Sequence, residues 1–461
     1  MAGSRKLPPL LPELQRIESC VAAALQPFAG RRCVVGLSGG LDSVVLLDLL
    51  ARIAPRFALQ LSALHVNHQI SPNADNWQQF CQQLAHVYSI PLQVRRVQLR
   101  RSGGESLEAV ARTARYAAYH AADADLILLA HHLDDQCETM LLRLLRGAGT
   151  HGLAAMPDSR PLDHADKLLL RPLLQIPREQ LKTYAHAAGL RWIDDESNDD
   201  TRYRRNWLRH ELLPRIEQVF PAYRRQLRQA AQHSRESADL LDELAAQDFH
   251  GELAEGWLEL AALLPLSPAR QRNLLRWFLR QRDVTPSAAV LEQLQQQMLQ
   301  ARVDAEPQIR IGGWLAERYR ERMYLRRMAV EPRCPPQTGI DLLGRTEAVF
   351  PEWQGRLVMT ARVGQGVGLR WLSAHRLDMR KRVGGERLRP ILGGAQRQLK
   401  HLLQEAAIPP WRRNSLPLLW IGDRLVAVPG VTVAAEFQAS AGEDGVQICW
   451  QHDPDQYVAA Q

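Results

Sequence analysis

Short apolar runs rich in β-branched residues alternate with longer amphipathic stretches between Arg31 and Leu174. Such runs are typical of strands buried on both faces, and the stretches between them are typical of covering helices. The alternation predicts an α/β domain of the nucleotide-binding type, with a parallel sheet whose ligands bind at the carboxyl ends of the strands. The predicted strands are Cys33–Leu37, Leu59–Val66, Leu92–Val97 and Leu126–Ala130, and the predicted helices are Val44–Ile53, Trp77–Tyr88, Ser106–Ala122 and Gln136–Arg146.

The pattern changes after Pro214. Two long segments rich in Gln, Arg and Leu, Tyr223–Asp248 and Pro268–Leu299, predict a helical second domain. Two shorter runs, Gln308–Gly312 and Met323–Arg327, predict a small hairpin that closes this domain.

Prolines mark the start of the last third of the chain. Pro332, Pro335 and Pro336 predict an extended linker. Beyond it, predicted strands near Val426–Val433 and Gln447–Trp450 indicate a small α+β domain. The predicted domains are therefore 1–214 (α/β), 215–330 (helical), 331–365 (linker) and 366–461 (C-terminal).

The composition excludes several classes of protein. A chain of 461 residues that is 46% hydrophobic is long enough for about three domains with cores, so it is not mainly disordered. The net charge of +8 favours a polyanionic partner, although an arginine-rich proteome would give the same excess. No uncharged apolar stretch of about 20 residues is present, and the N-terminal segment carries prolines in place of a signal peptide's apolar core. We therefore expect a cytoplasmic protein without membrane contact.

The six cysteines stand singly along the chain, at positions 20, 33, 81, 137, 334 and 449. No C-x-x-C pair is present to build a zinc knuckle or an iron–sulfur site. This spacing indicates reduced thiols in a cytosolic compartment.

The sharpest local motif is Val34–Ser43, a predicted strand that passes through a glycine turn directly into a helix. Such a turn aims backbone N–H groups and the positive end of a helix dipole at an anion. No lysine follows, so the motif is not a Walker loop, and an ordinary tight turn is the alternative interpretation. The residues predicted to hold a nucleotide are Ser38, Gly39, Gly40, Leu41, Asp42 and Ser43.

The S-G-G-x-D-S pattern of this loop resembles the pyrophosphate-binding loop, or PP-loop, of the ATP pyrophosphatase family. Members of that family cleave ATP between the α and β phosphates and transfer AMP to a substrate. The resemblance implies ATP as a cofactor. Asp42 fits as a ligand of the Mg²⁺ that neutralises the departing pyrophosphate.

A second motif, Ala130–Thr139, follows the fourth predicted strand and so lies at the same edge of the sheet. Asp135 and Glu138 are three residues apart on one helical face, where they could share a divalent ion. His131 either steers a phosphate as a cation or acts in proton transfer as a neutral base. Plain helix capping and a solvated loop are the alternative.

A third motif, A-R-T-A-R-Y at 111–116, places Arg112 and Arg115 one helical turn apart. Two guanidinium groups at that spacing suit bidentate contact with a phosphate. The competing interpretation is a solvated basic face on a surface helix.

Taken together, the motifs resemble the tRNA(Ile)-lysidine synthetase family in order and spacing. The quoted segments are S-G-G-L-D-S, H-V-N-H at 65–68, A-R-T-A-R-Y, A-H-H-L-D-D-Q-C-E-T, L-L-R-G-A-G-T-H-G-L, R-P-L-L, D-E-S-N at 195–198 and R-N-W-L-R at 205–209. An arginine-rich block from Lys381 to Pro390, followed by Leu399-Lys400 and I-P-P-W-R at 408–412, is similar to the family's tRNA-binding tail domain. Without the family, such a block grips phosphates or is a solvated charged face.

The resemblance implies a two-step reaction on the isoleucine tRNA that carries a CAU anticodon. ATP adenylates the C2 oxygen of the first anticodon cytidine, and the ε-amine of free L-lysine then displaces AMP to give lysidine. It implies catalytic roles for Asp42, Arg112, His131 and Asp135, with Mg²⁺ held by Asp42, Asp135 and Glu138. The residues expected to bind tRNA are Arg205, Arg209, Lys381, Arg382, Arg387, Arg389, Lys400 and Arg412.

Single-stranded recognition of a splayed-out base suits aromatic stacking. Trp207 and Trp411 are candidate stacking surfaces, and ordinary packing is the alternative for both. Members of this family commonly form dimers or tetramers, so a homodimer is a further expectation.

Three other functions stay open at this point. The first is a tRNA thiolase of the same fold, which would need paired cysteines. The second is a small-molecule ligase such as a GMP, NAD or argininosuccinate synthetase, which would not need a basic tail domain. The third is a non-catalytic RNA-binding protein that uses the loop to sense nucleotide, which measurable pyrophosphate release would exclude.

Overall fold

The computed structural model describes residues 12–97, 107–162, 167–302, 305, 307–328 and 335–452. These residues form two compact units, one that ends at Leu241 and one that begins at Asp242. The predicted domain boundary at 214–215 thus falls inside the first unit. No helix in the described ranges has the length and hydrophobicity needed to cross a bilayer.

The first unit is built on a six-stranded sheet with the order β3-β2-β1-β4-β6-β5. All neighbouring strands pair in parallel except β5, which runs antiparallel to β6. The four predicted strands are confirmed to within two residues at their ends. The strands are β1 (Arg32–Gly36), β2 (Gln60–Asn67), β3 (Leu92–Arg96), β4 (Leu126–Leu128), β5 (Ser159–Pro161) and β6 (Leu168–Leu170).

The strand order reverses between β1 and β4, because β1 is followed by β2 on one side and pairs with β4 on the other. The loops that leave the carboxyl ends of β1 and β4 diverge there and leave a crevice. These loops carry the two motifs around Asp42 and Asp135. The topology therefore brings the two motifs together.

Helices cover both faces of this sheet. Alternate residues of β1 enter two separate cores, with Val35 in one and Val34 in the other. The helices of the first unit are α1 (Pro12–Leu25), α2 (Leu41–Ile53), α3 (Ala74–Val87), α4 (Leu107–Ala121), α5 (Leu133–Leu144), α6 (Thr150–Leu153), α7 (Arg178–Ala187), α8 (Arg204–Trp207), α9 (Leu213–Val219) and the start of α10 (Tyr223–Asp248), with a π-helical turn at Leu208–Leu212 between α8 and α9.

The second unit begins with a five-stranded antiparallel sheet, order β7-β8-β11-β10-β9, and two helices. The predicted helical segment 268–299 is confirmed as two helices rather than one. The elements are β7 (Gly251–Glu252), β8 (Trp257–Glu259), α11 (Pro268–Arg280), α12 (Ala288–Gln300), β9 (Gln308–Ile311), β10 (Trp314–Tyr319) and β11 (Arg322–Arg327).

The predicted hairpin between 308–312 and 323–327 is wrong, because both segments pair with β10 and not with each other. Strand β10 was not predicted from the sequence because two charged residues inside it are buried. Glu317 is 1% exposed and pairs with Arg326. Arg318 donates to the carbonyl oxygens of Met298 and Ala301 at 2.9 and 3.1 Å. Buried charges with such partners break the apolar pattern without breaking the strand.

The C-terminal part of the second unit has its own core beneath a five-stranded sheet, order β12-β16-β19-β20-β21, and a four-stranded sheet, order β13-β14-β22-β15. Its elements are β12 (Gln337–Ile340), β13 (Glu347–Phe350), β14 (Gly355–Val363), β15 (Val367–Gly368), α13 (Leu369–Ala374), β16 (Leu377–Arg380), β17 (Arg387–Leu388), β18 (Arg397–Gln398), α14 (Leu399–Glu405), α15 (Pro410–Arg413), β19 (Leu418–Ile421), β20 (Arg424–Val428), β21 (Thr432–Val433) and β22 (Asp444–His452).

The predicted linker 331–365 needs correction. Its described residues, 335–365, contain β12, β13 and β14. Leu357 and Met359 on β14 are both buried and alternate with more exposed neighbours, which is the period-2 pattern of a half-buried strand. This part of the chain therefore belongs to the C-terminal domain.

Candidate active site

The loop between β1 and α2 requires glycine at its centre. Gly39 has φ +89°, and a Cβ on it would lie 2.7 Å from Cδ1 of Ile193. The carbonyl oxygen of Gly39 accepts a hydrogen bond from the N–H of Ile193 at 2.9 Å. The segment that follows α7 thus packs against the loop and leaves no room for a side chain there.

Two hydroxyl groups organise the same loop. Ser43 Oγ donates to the carbonyl of Gly40 at 2.9 Å and accepts from the N–H of Gly39 at 3.2 Å. The exposed Ser38 accepts from the N–H of Gly40 at 3.3 Å. Gly40 is the N-cap of α2 and brings no capping side chain, so the first turn of that helix presents its N–H groups to the crevice.

Asp42 lies in the first turn of α2, and one of its oxygens lacks a hydrogen-bond partner. This atom, Oδ1, is buried and sits 3.6 Å from Nε of Arg178. Oδ2 lies 3.6 Å from Nε2 of His132. A half-buried carboxylate with an unpaired buried oxygen beside a helix N-terminus is suited to a cation that itself carries phosphates.

His132 is the N-cap of α5 and lies at the centre of three carboxylates. It is 1% exposed, and its ring nitrogens lie 3.4 to 3.7 Å from oxygens of Asp42, Asp134 and Asp135. Burial alone would lower the pKa of His132, but the carboxylates of Asp135 and Asp42 outweigh it, so the pKa is raised. The acidic residues of both motifs therefore favour the cationic form of this imidazole.

A network of two carboxylates and two guanidinium groups lies along α5. Glu138 is fully buried and accepts from Nε of Arg205 at 2.6 Å and from Nε of Arg209 at 2.7 Å. Asp135 accepts from Nη2 of Arg205 at 2.7 Å and from the backbone N–H of His132 at 3.0 Å. Burial would raise the pKa of Asp135, but His132 and Arg205 hold it well below its usual range. Asp135 is therefore ionised, and both carboxylates are paired with arginines.

This network bears on two predictions. Both oxygens of Glu138 are occupied by arginines, so a metal ion would have to displace one of them from Glu138. Arg205 and Arg209, predicted to bind tRNA, are 30% and 24% exposed and neutralise the carboxylates of α5. Among the residues that the structure describes, no group of three or more His, Cys, Asp or Glu side chains is arranged to hold a metal ion.

His131 lies beside a cluster of arginines. Its Nδ1 accepts from Nε of Arg171 at 3.3 Å. Burial, with the neighbouring charges of Arg171, Arg205 and Arg112, lowers the pKa of His131 to about 3. His131 is therefore neutral near pH 7, which favours the neutral role over the cationic one.

Arg112, on the exposed face of α4, packs over the ring of Tyr116 with its guanidinium carbon 5.0 Å from the ring centre. Its Nη2 donates to the Tyr116 hydroxyl at 3.2 Å. Arg160 stacks on the same ring at 5.4 Å. Burial would raise the pKa of Tyr116, but Arg112, Arg160 and Arg171 outweigh it and lower the pKa. The cluster presents concentrated positive charge.

The basic residues predicted to bind tRNA in the C-terminal part divide into two groups. Arg387, Arg389 and Lys400 are exposed, and Lys381 is half-buried. Arg382 and Arg412 are each 3.5 Å from a carboxylate, that of Glu386 and that of Glu255 respectively.

Trp411 packs edge-on against Tyr324 and Tyr319, with ring centres 5.3 and 6.2 Å away, so for this indole the packing interpretation holds.

Several site residues were not predicted from the sequence. His132 and Arg178 lie beside Asp42, Asp134 contacts both of these residues, and Arg171 contacts His131. Asp134 also accepts from the N–H of Arg178 at 2.8 Å and from Nε of Arg224 at 2.7 Å. Three of these residues lie inside motifs that the sequence analysis quoted, and this was the only signal for them. His132 and Asp134 are the second His and first Asp of H-H-L-D-D, and Arg171 is the Arg of R-P-L-L.

Three family models match the chain. A PP-loop domain matches residues 13–216, a TilS substrate binding domain matches 258–324, and a TilS substrate C-terminal domain matches 377–450.

Similar proteins cover nearly the whole chain. The tRNA(Ile)-lysidine synthase of Nitrosomonas europaea is 43% identical over 423 residues, which is 91% of this chain and 92% of that protein. The same enzyme of Chromobacterium violaceum is 43% identical over 412 residues, 88% and 93% of the two chains. Among solved structures, a U34-tRNA thiolase from Methanococcus maripaludis with an iron–sulfur cluster is similar at TM-score 0.41 and 17% identity, over 48% of this chain and 79% of that one. The two relatives' identity and coverage are decisive, and this chain belongs to the tRNA(Ile)-lysidine synthase family.

Proposed function

We propose that this protein ligates L-lysine to C2 of the cytidine at the first anticodon position of the CAU-bearing isoleucine tRNA. ATP is converted to AMP and pyrophosphate through an adenylated tRNA intermediate. The proposal is supported by relatives of that name and by matches to both substrate-binding models of the family. The six cysteines stand singly along the sequence, which argues against the thiolase alternative, because a thiolase needs paired cysteines.

The observation that carries the proposal is the meeting of two motifs 93 residues apart at the switch point of the sheet. Nε2 of His132 lies 3.6 Å from Asp42 and 3.4 Å from Asp135, so one imidazole holds both acidic residues near the free N–H groups of α2. ATP phosphates bind at the Ser38–Ser43 loop in this proposal. Mg²⁺ bound to nucleotide needs only one or two protein carboxylates. Asp42, whose Oδ1 has no hydrogen-bond partner, would supply the first, and Asp135 would supply the second once Arg205 and Arg209 release its Oδ1, so that the ion offsets the charge of the leaving pyrophosphate.

The remaining groups act on the tRNA and the α-phosphate. In the first step the cytidine O2 attacks the α-phosphorus and pyrophosphate leaves, and in the second the lysine amine attacks C2 and AMP leaves with that oxygen. Arg112, which is exposed on α4, would stabilise negative charge that develops at the α-phosphate. Neutral His131 would contribute an N–H donor at Nε2, because its Nδ1 accepts from Arg171.

Free lysine would bind in a cleft of about 250 Å³ beside this network. The cleft is lined by acidic residues, including Glu179 and Glu217, and by basic ones, including Arg178 and Lys182. An amino acid with a second amine carries charges of both signs, which such a lining complements. Arg178 lines the cleft and lies 3.6 Å from Asp42, so the cleft is close to the phosphate loop.

The proposed substrates place the protein in the cytoplasm, where tRNA and ATP meet. We also retain the prediction of a homodimer, which sedimentation velocity tests directly. A single species at 52.1 kDa, the mass of one chain, would contradict the homodimer prediction.

The experiment that tests the reaction measures AMP formation from labelled ATP with lysine and different RNAs. We expect AMP with the CAU isoleucine tRNA and at least tenfold less with a CAU methionine tRNA. AMP formation that proceeds with a sulfur donor in place of lysine would support the thiolase instead. AMP formation that needs no tRNA would support a small-molecule ligase.

A further inference from the structure

A second cavity lies on the surface of the first unit, between the end of α5 and the start of α8. It measures about 300 Å³. Leu145 and Trp207 form its apolar wall, and Arg146, Arg202 and Arg204 form its rim. We refer to it as the Trp207 pocket.

Large apolar side chains are unusually exposed at this pocket. Trp207 is 46% exposed and Leu145 is 71% exposed. The neighbouring Leu144 and Tyr203 are 51% and 45% exposed. Leu145 and Trp207 line the same cavity, and large apolar side chains exposed together mark a binding surface more often than a single exposed residue does.

The rim carries positive charge that is only partly compensated. Arg202 pairs with Asp200 at 2.7 Å. Arg146 and Arg204 form no ion pair with any residue that the structure describes. An exposed indole with unpaired guanidinium groups beside it matches what a nucleotide needs, a surface on which the base stacks and cations for its phosphate.

We propose that the Trp207 pocket binds an unstacked base of the anticodon loop next to the target cytidine, with its phosphate on Arg146 and Arg204. This inference rests on the proposed tRNA substrate. Unstacked loop bases are the part of an RNA that proteins recognise by aromatic stacking. Once a neighbouring base is held in the pocket, the cytidine cannot stack back into the loop.

The position of the pocket relative to the site supports this assignment. Asp135 lies in the first turn of α5, and Leu145 follows its last residue, ten residues later. At a rise of about 1.5 Å per residue, the two places are roughly 15 Å apart along the helix axis. Arg205 faces Asp135 and Glu138, whereas the adjacent Arg204 faces the pocket, so α8 contacts both places.

A second copy of the chain is the other occupant to consider. In a two-fold contact each patch meets its own equivalent, so the arginine rims would face each other. Like charges brought together in this way oppose association. The charge therefore favours RNA over a second copy.

The test uses the full protein and an RNA of about 17 nucleotides that forms the CAU anticodon stem and its loop. We expect Trp207→Ala to weaken stem–loop binding, measured by fluorescence anisotropy, by about tenfold to a hundredfold, and Trp207→Phe to restore most of it. The KM for tRNA should rise in Trp207→Ala while the KM values for ATP and lysine stay unchanged. Phe220→Ala, which removes another exposed ring of the same unit (59% exposed), is the matched control.

Abasic substitutions identify the bound base. One abasic position beside the cytidine should weaken binding to the wild type as much as Trp207→Ala does, with no further loss when both changes are combined. Normal stem–loop binding by Trp207→Ala would overturn the proposal. Normal binding together with a change in sedimentation would assign the patch to a second copy. Absence of lysine transfer by the wild type would instead count against the proposed function, because the binding assay needs no turnover.

Discussion

Nε of Arg171 donates to Nδ1 of His131 at 3.3 Å, which fixes that ring nitrogen as an acceptor. Arg171 is 3% exposed, and its Nη1 also donates to the carbonyl of Pro157 at 2.7 Å. The proton of neutral His131 is therefore on Nε2. The arginine of R-P-L-L thus controls the tautomer of the first histidine of H-H-L-D-D.

We predict that Arg171→Met raises the pKa of His131 and lowers kcat by about a hundredfold, because the ring loses its neighbouring charge and its fixed tautomer. Burial still keeps the pKa below the usual value of a histidine. Nitrogen chemical shifts of ¹⁵N-labelled histidine measure both the pKa and the tautomer.

The control for this prediction is Arg143→Lys. Arg143 holds the same loop through the carbonyls of Gly152 and Ala155 at 3.0 and 2.9 Å, and no contact joins it to His131. An equal loss of activity in both variants would mean that Arg171 acts only by supporting the loop.

Gly39→Ala should destabilise the protein by about 1–3 kcal/mol and raise the KM for ATP at least tenfold. The new methyl group meets Ile193 at 2.7 Å, in a backbone conformation with φ +89° that alanine disfavours. Gly30→Ala is the matched control, since Gly30 has φ +78° but nothing within 4 Å of the added carbon. If both variants bind ATP equally well, the loop is not the nucleotide site.

Glu138→Gln should lower the free energy of unfolding by about 2–4 kcal/mol, because Arg205 and Arg209 lose the charge that balances them inside the protein. Urea denaturation measures the change. Glu211→Gln removes an exposed partner of Arg215 and should change stability by less than about 0.5 kcal/mol. A Glu138→Gln protein as stable as the wild type would contradict the paired arrangement of α5.

The two adjacent histidines should give opposite pH dependence of stability in Mg²⁺-free buffer. His132 has a raised pKa, so its contribution is complete below about pH 6.5 and is lost as the pH rises through the folded-state value. His131 has a pKa lowered to about 3, so its contribution is present above about pH 6.5 and is lost as the pH falls toward 3.

The measurement is the free energy of unfolding of the wild type, His131→Gln and His132→Gln between pH 4 and 8. Subtracting each variant's value from that of the wild type gives the contribution of that histidine, and its slope against pH is the predicted quantity. Slopes of the same sign would contradict the assignment of charge to these residues.

Much of the first unit could be predicted from the sequence, because its strands and helices follow local apolar patterns. Helix α2 begins at Leu41, three residues before its predicted start, since the apolar pattern becomes clear only at Val44. The loop could be predicted from a local pattern alone, because the sequence passes from a strand through two glycines into a helix. The strand β10 was missed because the partners of its buried charges lie elsewhere in the chain.

The site contacts were harder to predict because they join distant segments. Arg178 reaches Asp42 across 136 residues, and Arg209 reaches Glu138 across 71. Spacing gave a partial signal, since Arg205 and Arg209 are four apart and Asp135 and Glu138 are three apart, so each pair shares a helical face. No local sequence pattern indicates that the face with the two arginines contacts the face with the two carboxylates.

The most direct test of the central claim measures labelled lysine retained on the CAU isoleucine tRNA after incubation with protein, ATP and Mg²⁺. We predict label that requires ATP, maps to the first anticodon nucleoside, and falls at least a hundredfold in Asp42→Ala but not in Asp75→Ala, which removes an exposed carboxylate paired with Arg96. Absence of label with the wild type, or full label with Asp42→Ala, would contradict the account.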